Sequence, residues 1–375
     1  MTIVPVDTRY SLGSLFSHSL HLGWAFASFK HPDRKTPTTW VQTNLDRDRS
    51  RTNSTNNKFV FSPFDADSGH RSQSVLPEIS IQGWSLAAAV PAFRFPLNGH
   101  NFSLPKCPIT SIGKEAYIRK LDLLIQDLRK NAHLQKVVLS RPIVLPLAKK
   151  LNAGKLYRDL CETYPNAYVY AFSHPFSGFW MGATPERLMH YANDTLEMVS
   201  LAGTKFGPSP VVWRRKEKEE QSIVTEYILG VLKKLGVPEI KVKGPFTQSA
   251  GALSHLKTQL TAKLKQPLPL KRALHDLHPT PAVCGFPKDL AFDWIRKHEG
   301  YDRAYYTGFL GAIQEENQMD LFVNLRCMQI FEDAVVLYVG GGITALSNAE
   351  EEWLETEAKA RILKKVLSPY ISINV

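Results

Sequence analysis

The sequence GGGITALSNAEEEWLET at residues 340–356 joins a glycine triplet directly to a carboxylate-rich helix start. Glycine has no β-carbon, so backbone N–H groups in such a segment can approach an anion closely. The carboxylates that follow can hold a cation. The stretch therefore predicts a glycine-rich backbone turn beside an acidic helix, with one arm suited to an anion and the other to a cation.

The segments before this stretch predict a mixture of helices and strands. Apolar residues between Tyr117 and Leu128 recur at helical spacing, and a run rich in β-branched residues begins at Lys136. Further strands are predicted at 167–173, 178–183, 195–202, 303–313, 320–331 and 334–341, and helices at 213–235, 249–264, 287–298 and 349–367. Short strand-to-strand turns, such as the one at 192–194, favour an α+β fold with antiparallel sheets over a doubly wound parallel sheet.

The N-terminal part of the chain has a less regular pattern. Residues 30–75 are rich in Thr, Ser, Asn, Asp and Arg and contain few apolar residues outside 59–61. This composition predicts loops or a flexible insertion. The apolar segments 24–29 and 84–93 predict strands that complete a sheet.

Composition limits the class of protein without deciding its ligand. The 375 residues are 43% hydrophobic, which allows one large domain or two modest ones. A net charge of +11 fits nucleic acid, an anionic membrane surface or acidic small molecules as partners. The four cysteines form no C-x-x-C pair, no leader pattern opens the chain, and no apolar run reaches about 18 residues. We therefore expect a cytoplasmic protein that does not enter a membrane.

Two glutamates share the apolar faces of predicted helices. Glu220 continues the stripe of Val224, Ile228 and Val231, and Glu355 heads a second stripe that ends at Val366. Two carboxylates brought into one cavity would repel each other unless a cation lay between them. Ligation by oxygens alone suits magnesium. The alternative is that each glutamate is an ordinary residue of a first helical turn, favoured by the helix dipole.

Several motifs occur in an order that resembles the chorismate-utilising enzymes. They are KVVLSR at 136–141, GATPE at 182–186, LAGT at 201–204, LHPTPA at 277–282 and the stretch at 340–356. The resemblance covers roughly residues 110–370. It implies large antiparallel sheets flanked by helices around a central cleft. It also implies one domain over 1–375, with a catalytic portion at 106–375 and an N-terminal sheet portion at 1–105 that carries the insertion at about 30–75.

The resemblance also implies the reacting groups. Lys136 matches the lysine that activates water, and Glu186 matches the glutamate that protonates the departing 4-hydroxyl of chorismate. A lysine can act as a base only where burial or neighbouring cations favour its uncharged form. Glu220 and Glu355 match the magnesium ligands of the family. The nearby acidic residues that could support the metal through water are Glu217 and Glu352.

Chorismate carries two carboxylates, so its site must offer hydrogen-bond donors. By the same resemblance Arg326 holds the enolpyruvyl carboxylate and Tyr306 contacts the substrate. Gly341 and Gly342 leave room for backbone N–H groups to approach an anion. Residues of two further motifs are expected to line the ring pocket, and these are Thr204 and His278.

The nucleophile distinguishes the reactions within the family. Lys136 favours water over the ammonia of anthranilate synthases, and Ala202 replaces the lysine that aminodeoxychorismate synthases use for covalent attack. The chain is therefore predicted to be an isochorismate synthase, which converts chorismate reversibly with Mg²⁺. A salicylate synthase, which goes on to eliminate pyruvate, stays open as an alternative. Residue Gln221, where the family usually has histidine, and the short loop after 201–204 depart from the common pattern.

Two hypotheses from other classes complete the interpretation. A basic nucleic-acid-binding protein would interleave cations with exposed aromatic residues along one element, whereas the basic residues here are dispersed. A non-catalytic relative is disfavoured because the expected acid, base and metal positions are all filled. We expect chorismate as the partner, without nucleic acid or membrane, and a monomer or a weak homodimer. Menaquinone and siderophore synthesis both begin with the predicted conversion, so the residues do not separate them.

Overall fold

The structure is a computed structural model of the chain. It describes residues 3–5, 11–45, 57–85, 94–96, 103–206, 211–250, 253–264, 266, 268–314 and 318–372. In chain order the elements are β1 (Ile3–Pro5), α1 (Leu12–Leu22), β2 (Ala25–Lys30), β3 (Thr38–Gln42), β4 (Lys58–Ser62), β5 (Gln73–Val75), β6 (Ile79–Gln82), β7 (Arg94–Pro96), α2 (Lys114–Lys130), β8 (Lys136–Pro146), α3 (Ala153–Thr163), β9 (Tyr168–His174), β10 (Gly178–Thr184), β11 (Arg187–Ala192), β12 (Thr195–Phe206), α4 (Arg215–Lys234), β13 (Lys241–Ala250), β14 (Leu253–Lys263), α5 (Leu270–Leu277), β15 (Gly285–Phe286), α6 (Lys288–His298), β16 (Phe309–Gln314), β17 (Gln318–Val323), β18 (Cys327–Ile330), β19 (Ala334–Thr344) and α7 (Ala349–Leu367).

Two large antiparallel sheets form the centre of the molecule. The first has nine strands in the order β15-β8-β19-β18-β10-β9-β2-β3-β6, and the second has eight in the order β13-β14-β12-β11-β17-β16-β4-β5. Strands β1 and β7 pair separately. Many neighbours in the sheets are also neighbours in sequence, as short connections allow. The predicted α+β class with antiparallel sheets is confirmed.

The two sheets pack face to face, and helices cover their outer faces. Strand β9 shows how the sequence achieves this, because its side chains alternate between two apolar cores. Tyr168, Tyr170 and Phe172 join the core between the sheets. Val169 and Ala171 join the core under α1, α3 and α7. A strand buried on both faces must be apolar throughout, and β9 has no exposed residue.

Helices α4 and α5 cover the outer face of the second sheet. The predicted stripe of α4 is confirmed, since Val224, Ile228 and Val231 are buried against Leu260 and its neighbours in β14. Glu220 lies on the same face and is also buried. Helices α2 and α6 pack against one end of the first sheet and enclose a further apolar core with it. No helix among the described residues is long and apolar enough to cross a lipid bilayer.

The predicted helix at 249–264 is wrong. The chain there forms the end of β13 and the strand β14, which pair as a hairpin. The four-residue spacing of Leu256 and Leu260 imitates a helical stripe, but the residues between them alternate in burial as in a strand. Pairing along β12 over almost its full length fixes this strand. Tertiary pairing therefore overrides a short helical pattern.

The prediction of loops or a flexible insertion over 30–75 is also wrong for three segments. Strands β3, β4 and β5 lie in this range, and residues 46–56 fall outside the described part. Phe59 and Phe61 of β4 are fully buried between the sheets. A strand that buries only one face needs few apolar residues, because only every second side chain faces the core. The mainly polar composition of this segment therefore gave no sign of strand β4. Strand β2 confirms the prediction at 24–29, whereas most of 84–93 lies outside the described residues.

A buried ion pair holds the turns beside the central cleft. The strand predicted at 303–313 begins only at Phe309, because the preceding residues turn around Arg303. Arg303 pairs with Glu299 at 2.6 Å and donates to the carbonyls of Val138 and Val283. Glu299 in turn accepts hydrogen bonds from the backbone and side chain of Ser140. One guanidinium thus joins β8, the segment before β15 and the turn before β16.

Replacing this arginine should destabilise the fold strongly. Arg303→Met leaves the Glu299 carboxylate buried without its partner, which costs about 3–5 kcal/mol in free energy of unfolding. The matched control is Arg296→Met, which removes a half-exposed pair with Asp65 and should cost about 1 kcal/mol or less. Urea unfolding of both variants measures the difference. Equal losses would contradict a special role for the buried pair.

Candidate active site

A cavity opens where the glycine segment of β19 extends past its neighbour β18. Strand β18 pairs only with Val335–Leu337, whereas β8 stays paired with β19 as far as Thr344. Gly340, Gly341 and Gly342 therefore have one edge in the sheet and line the cavity. The triplet was predicted as a turn, and this is wrong, because it is part of a strand. Its role as an open approach to the cavity stays a prediction.

The absence of a side chain at Gly342 lets a lysine and a glutamate meet. Lys136, at the start of β8, is fully buried, and its Nζ lies 3.1 Å from Oε1 of Glu220 on α4. A β-carbon added at Gly342 would lie 2.2 Å from that Oε1 and 2.8 Å from Cε of Lys136. A larger residue at this position would require the ends of both side chains to move. The predicted base and one predicted metal ligand are thus brought into direct contact.

Glu186 reaches the same cavity from the turn between β10 and β11. Its side chain is nearly fully buried and lines the cavity directly after Pro185. Burial raises the pKa of Glu186 to about 7, although Lys136, Lys359 and Arg326 oppose the shift. A carboxyl with this pKa carries a proton in a large fraction of molecules near neutral pH. It can therefore donate that proton.

Two further carboxylates from α7 stand beside the glycine segment. A β-carbon at Gly341 would lie 3.2 Å from Oε2 of Glu352 and 3.5 Å from Oε1 of Glu355. Burial, together with the charge of Glu355, raises the pKa of Glu352 to about 7 in spite of its ion pair with Lys216. Its buried Oε2 accepts no hydrogen bond within the described residues.

Carboxylates are the ligands that a divalent cation such as Mg²⁺ prefers, although the described residues contain no group of three or more His, Cys, Asp or Glu side chains placed to hold a metal ion. Glu220 and Glu355 line the cavity, and the unpartnered oxygen of Glu352 lies next to Glu355. Hard oxygen donors of this kind suit magnesium. In their present arrangement lysines balance the charge, since Lys359 donates to Glu355 at 2.7 Å and Lys216 pairs with Glu352.

Glu217 does not join this group. It forms a capping box at the start of α4, where it pairs with Arg214 at 3.0 Å and accepts a hydrogen bond from the Arg214 backbone. Burial opposes ionisation of Glu217, but these hydrogen bonds outweigh it and lower the pKa. Gln221, the departure from the family pattern, points to the sheet and donates to Ser200 and Thr258. It does not line the cavity.

Arg326 supplies positive charge opposite the carboxylates. It lines the cavity in a left-handed conformation, with φ of 46°, which is uncommon for non-glycine residues. Burial lowers the pKa of Arg326 to about 10, so the guanidinium stays charged at neutral pH. Tyr306 also lines the cavity and stacks on Tyr338 with ring centroids 5.4 Å apart.

The histidine of the cavity is His255, which sequence analysis missed. Its ring lies 3.0 Å from Nη2 of Arg326 and 3.1 Å from the carbonyl of Gly203. Burial and the charge of Arg326 lower the pKa of His255 to about 3, so the ring is neutral and can accept from Arg326. Because the segment was assigned to a helix, the inward position of His255 on β14 went unnoticed. Lys359 was missed as well, although it lies one turn beyond Glu355 on α7.

One predicted substrate residue stands apart from this group, and the side chain of another is not described. His278 is buried against Phe309, with ring centroids 5.0 Å apart, and does not line the cavity. The end of its motif does reach the cavity, because Ala282 and the adjacent Val283 line the cavity. Thr204 lies in β12, but its side chain is outside the described part of the structure. The structure therefore assembles Lys136, Glu186, Tyr306, Arg326 and the glycine segment with the carboxylates of α4 and α7.

Sequence comparison finds a family and several individual proteins that are similar to this chain. The family described as "Chorismate binding enzyme" matches residues 97–368. The vibriobactin-specific isochorismate synthase of Vibrio cholerae is 28% identical over 266 residues, which are 68% of this chain and 67% of that protein. Isochorismate synthase DhbC of Bacillus subtilis is 30% identical over 260 residues, 62% of this chain and 63% of that protein. The chain thus matches about two thirds of the length of these relatives.

A solved structure shares the fold over almost the whole chain. The menaquinone-specific isochorismate synthase MenF of Escherichia coli aligns with a TM-score of 0.77 and 23% identity, covering 98% of this chain and 93% of that one. At this identity the likeness concerns the fold. It extends to the N-terminal strands, which lie outside the matched family segment.

The buried acid should make stability depend on pH in a defined direction. An acid with a higher pKa in the folded state than in the unfolded chain binds its proton more tightly when folded. For Glu186 the free energy of unfolding should therefore fall as pH rises from about 4.5 to about 7. Glu186→Gln removes this loss, so the variant should gain roughly 3 kcal/mol over the parent between pH 5 and pH 8. Denaturant unfolding at both pH values measures the gain.

The exposed Glu162→Gln serves as the control for this experiment, since its carboxylate lies on the surface of α3. It should leave the pH dependence unchanged. A difference between Glu186→Gln and the parent that stays constant with pH would show that Glu186 is ionised throughout.

Proposed function

Because the chain belongs to the chorismate-binding enzyme family, we propose that it is an isochorismate synthase. The reaction would convert chorismate reversibly to isochorismate by adding water at C2 and releasing the C4 hydroxyl. This assignment makes the chain an isomerase. The observation that supports it best is a cavity lined by Glu186, Arg326 and Glu220, behind which the buried Lys136 contacts Glu220 at 3.1 Å.

The proposed chemistry balances with these two groups. Water would lose a proton to Nζ of Lys136 as its oxygen forms a bond to C2. The ring double bonds shift, the C4–O bond breaks, and Glu186 gives its proton to the departing hydroxyl, which leaves as water. Lys136 then releases the proton that it took from water, and Glu186 takes up a new one, so that both groups are ready for the next turnover. General acid and general base catalysis of this kind contributes typically about 10²–10⁴-fold each.

The cavity would bind the two carboxylates of chorismate at separate places. Arg326 is already oriented by His255 and can hold one carboxylate in a bidentate manner. Glu220 and Glu355, with Glu352 beside them, would hold magnesium, which supplies positive charge for the other carboxylate when bound. Tyr306 and the glycine segment would line the ring. Lys136 contacts Glu220 at 3.1 Å, so a cation held by Glu220 would lie close to the amine.

The first test is the reaction itself. Purified protein with chorismate and Mg²⁺ should form isochorismate, and chromatography of the products measures it. Lys136→Ala should lower kcat by about 10²-fold or more while chorismate binding is largely kept, because the variant loses the base and not the carboxylate contacts. Lys130→Ala on the surface of α2 is the matched control and should be fully active.

The products also separate the alternatives. Isochorismate without salicylate supports the proposal, whereas salicylate together with pyruvate would support a salicylate synthase. No product from chorismate would reject both. Full activity of Lys136→Ala would remove Lys136 as the base.

The metal assignment predicts a loss of magnesium binding. Glu355→Gln removes one negative oxygen donor from the α7 side of the cavity and should weaken Mg²⁺ binding by at least about tenfold. Calorimetric titration with MgCl₂ measures the affinity without relying on turnover. The control is Glu219→Gln, which changes an exposed residue next to Glu220 that pairs with Arg215. Equal Mg²⁺ affinity of both variants would contradict the ligand assignment.

A further inference from the structure

A second, larger opening adjoins the catalytic cavity. This outer cleft holds about 1110 Å³ and lies between the edge of α7, strands β11, β12 and β14 and the turn that follows α3. It shares four lining residues with the inner cavity, namely Pro185, Leu201, His255 and Arg326. Arg326 thus faces both spaces. The outer cleft is therefore continuous with the site where chorismate is proposed to react.

Positive charge dominates the outer cleft. Besides Arg326 its lining contains Arg187, Lys257, Arg361 and Lys365, against one described acidic residue, Glu197. Arg187 is held by Asp320 at 2.9 Å. Lys257, Arg361 and Lys365 have no hydrogen-bond or ion-pair partner among the residues that the structure describes. Burial and the nearby Arg187 lower the pKa of Lys257.

Helix stability alone does not explain this arrangement. Cations in the last turns of a helix interact favourably with its dipole, and Lys364 and Lys365 fall in the last turn of α7. Arg361 and Lys365, however, are four residues apart on the same face, where like charges repel. Lys257 lies on a different element, strand β14, and still faces the same space. Three of these cations, Lys257 on β14 and Arg361 and Lys365 on α7, converge on one cleft without an ion-pair partner among the described residues, whereas Arg187 pairs with Asp320 and lies 3.9 Å from Glu197.

We propose that the outer cleft is an anion-collecting subsite that attracts chorismate and passes it to Arg326 in the inner cavity. The inference rests on the proposed function for the identity of the ligand, a dicarboxylate. Clefts lined by one sign of charge concentrate field lines and raise the local concentration of an oppositely charged ligand. Such an effect weakens as salt shortens the range of the field from about 30 Å at 0.01 M to about 3 Å at 1 M.

The test reverses the two exposed cations of α7. In the double variant Arg361→Glu/Lys365→Glu we expect kcat/KM for chorismate to fall about tenfold or more at low ionic strength, mainly through KM. The gap to the parent should close substantially as salt is raised towards about 1 M. Lys257→Gln, which removes one charge without reversing it, should show a smaller loss with the same salt dependence.

The control changes net charge equally at another helix end. Lys233→Glu/Lys234→Glu alters two exposed lysines in the last turn of α4, outside the cleft. It should leave kcat/KM within about twofold of the parent. A loss in the control equal to that in the α7 variant, or a loss that salt does not reduce, would overturn the subsite.

The outcome is separable from that of the proposed function. If the parent protein does not convert chorismate, the proposed function fails, and calorimetric binding of chorismate at low and high salt replaces kcat/KM as the measurement. Weaker binding in the α7 variant than in the control at low salt would then still support the subsite. Equal binding in both would overturn it.

Discussion

The contact between Lys136 and Glu220 is possible only because Gly342 has no side chain. Three elements meet at this point. Strand β8 carries the amine of Lys136, helix α4 carries the carboxylate of Glu220, and β19 contributes only the backbone of Gly342. Any β-carbon at Gly342 would lie 2.2 Å from a glutamate oxygen. The long pairing of β8 with β19 holds this register, since Gly342 stands opposite Val138 and Thr344 opposite Lys136. The candidate base and metal ligand therefore depend on the pairing of two strands.

Charged side chains of both signs surround the contact between Lys136 and Glu220. The cavity gathers three carboxylates, and lysines offset them in the arrangement that the structure has. Burial raises the pKa of both Glu186 and Glu352 to about 7, but only Glu352 has a lysine ion-pair partner among the described residues. Arg326 is a buried side chain that keeps its positive charge, and the ring of the neighbouring His255 is neutral. A substrate that carries two negative charges and a divalent cation would fit this distribution of charge.

Sequence reasoning located the residues whose motif and periodicity agreed. Glu220 belongs to a helical stripe and to a family motif, and the structure places it in the cavity. His278 had only the motif, and the structure places it behind the cavity against Phe309. His255 could not be found from its segment, because Leu256 and Leu260 imitate a helix and only pairing with β12 makes the segment a strand. Likewise Phe59 and Phe61 became strand residues through the partner β16, which is distant in sequence. Long-range pairing is the information that local patterns lack.

Helix α7 joins the two functional ends of the cleft. Its first turns carry Glu352 and Glu355 beside the glycine segment, and its last turns carry Arg361 and Lys365 at the outer cleft. The helix dipole favours acids at the first end and bases at the second. The requirements of helix stability and of the proposed chemistry therefore point in the same direction. Arg141 of β8 fixes the helix between these ends by hydrogen bonding to Thr356 and stacking on Trp353. A displacement of α7 would move the candidate metal ligands and the cations of the outer cleft together.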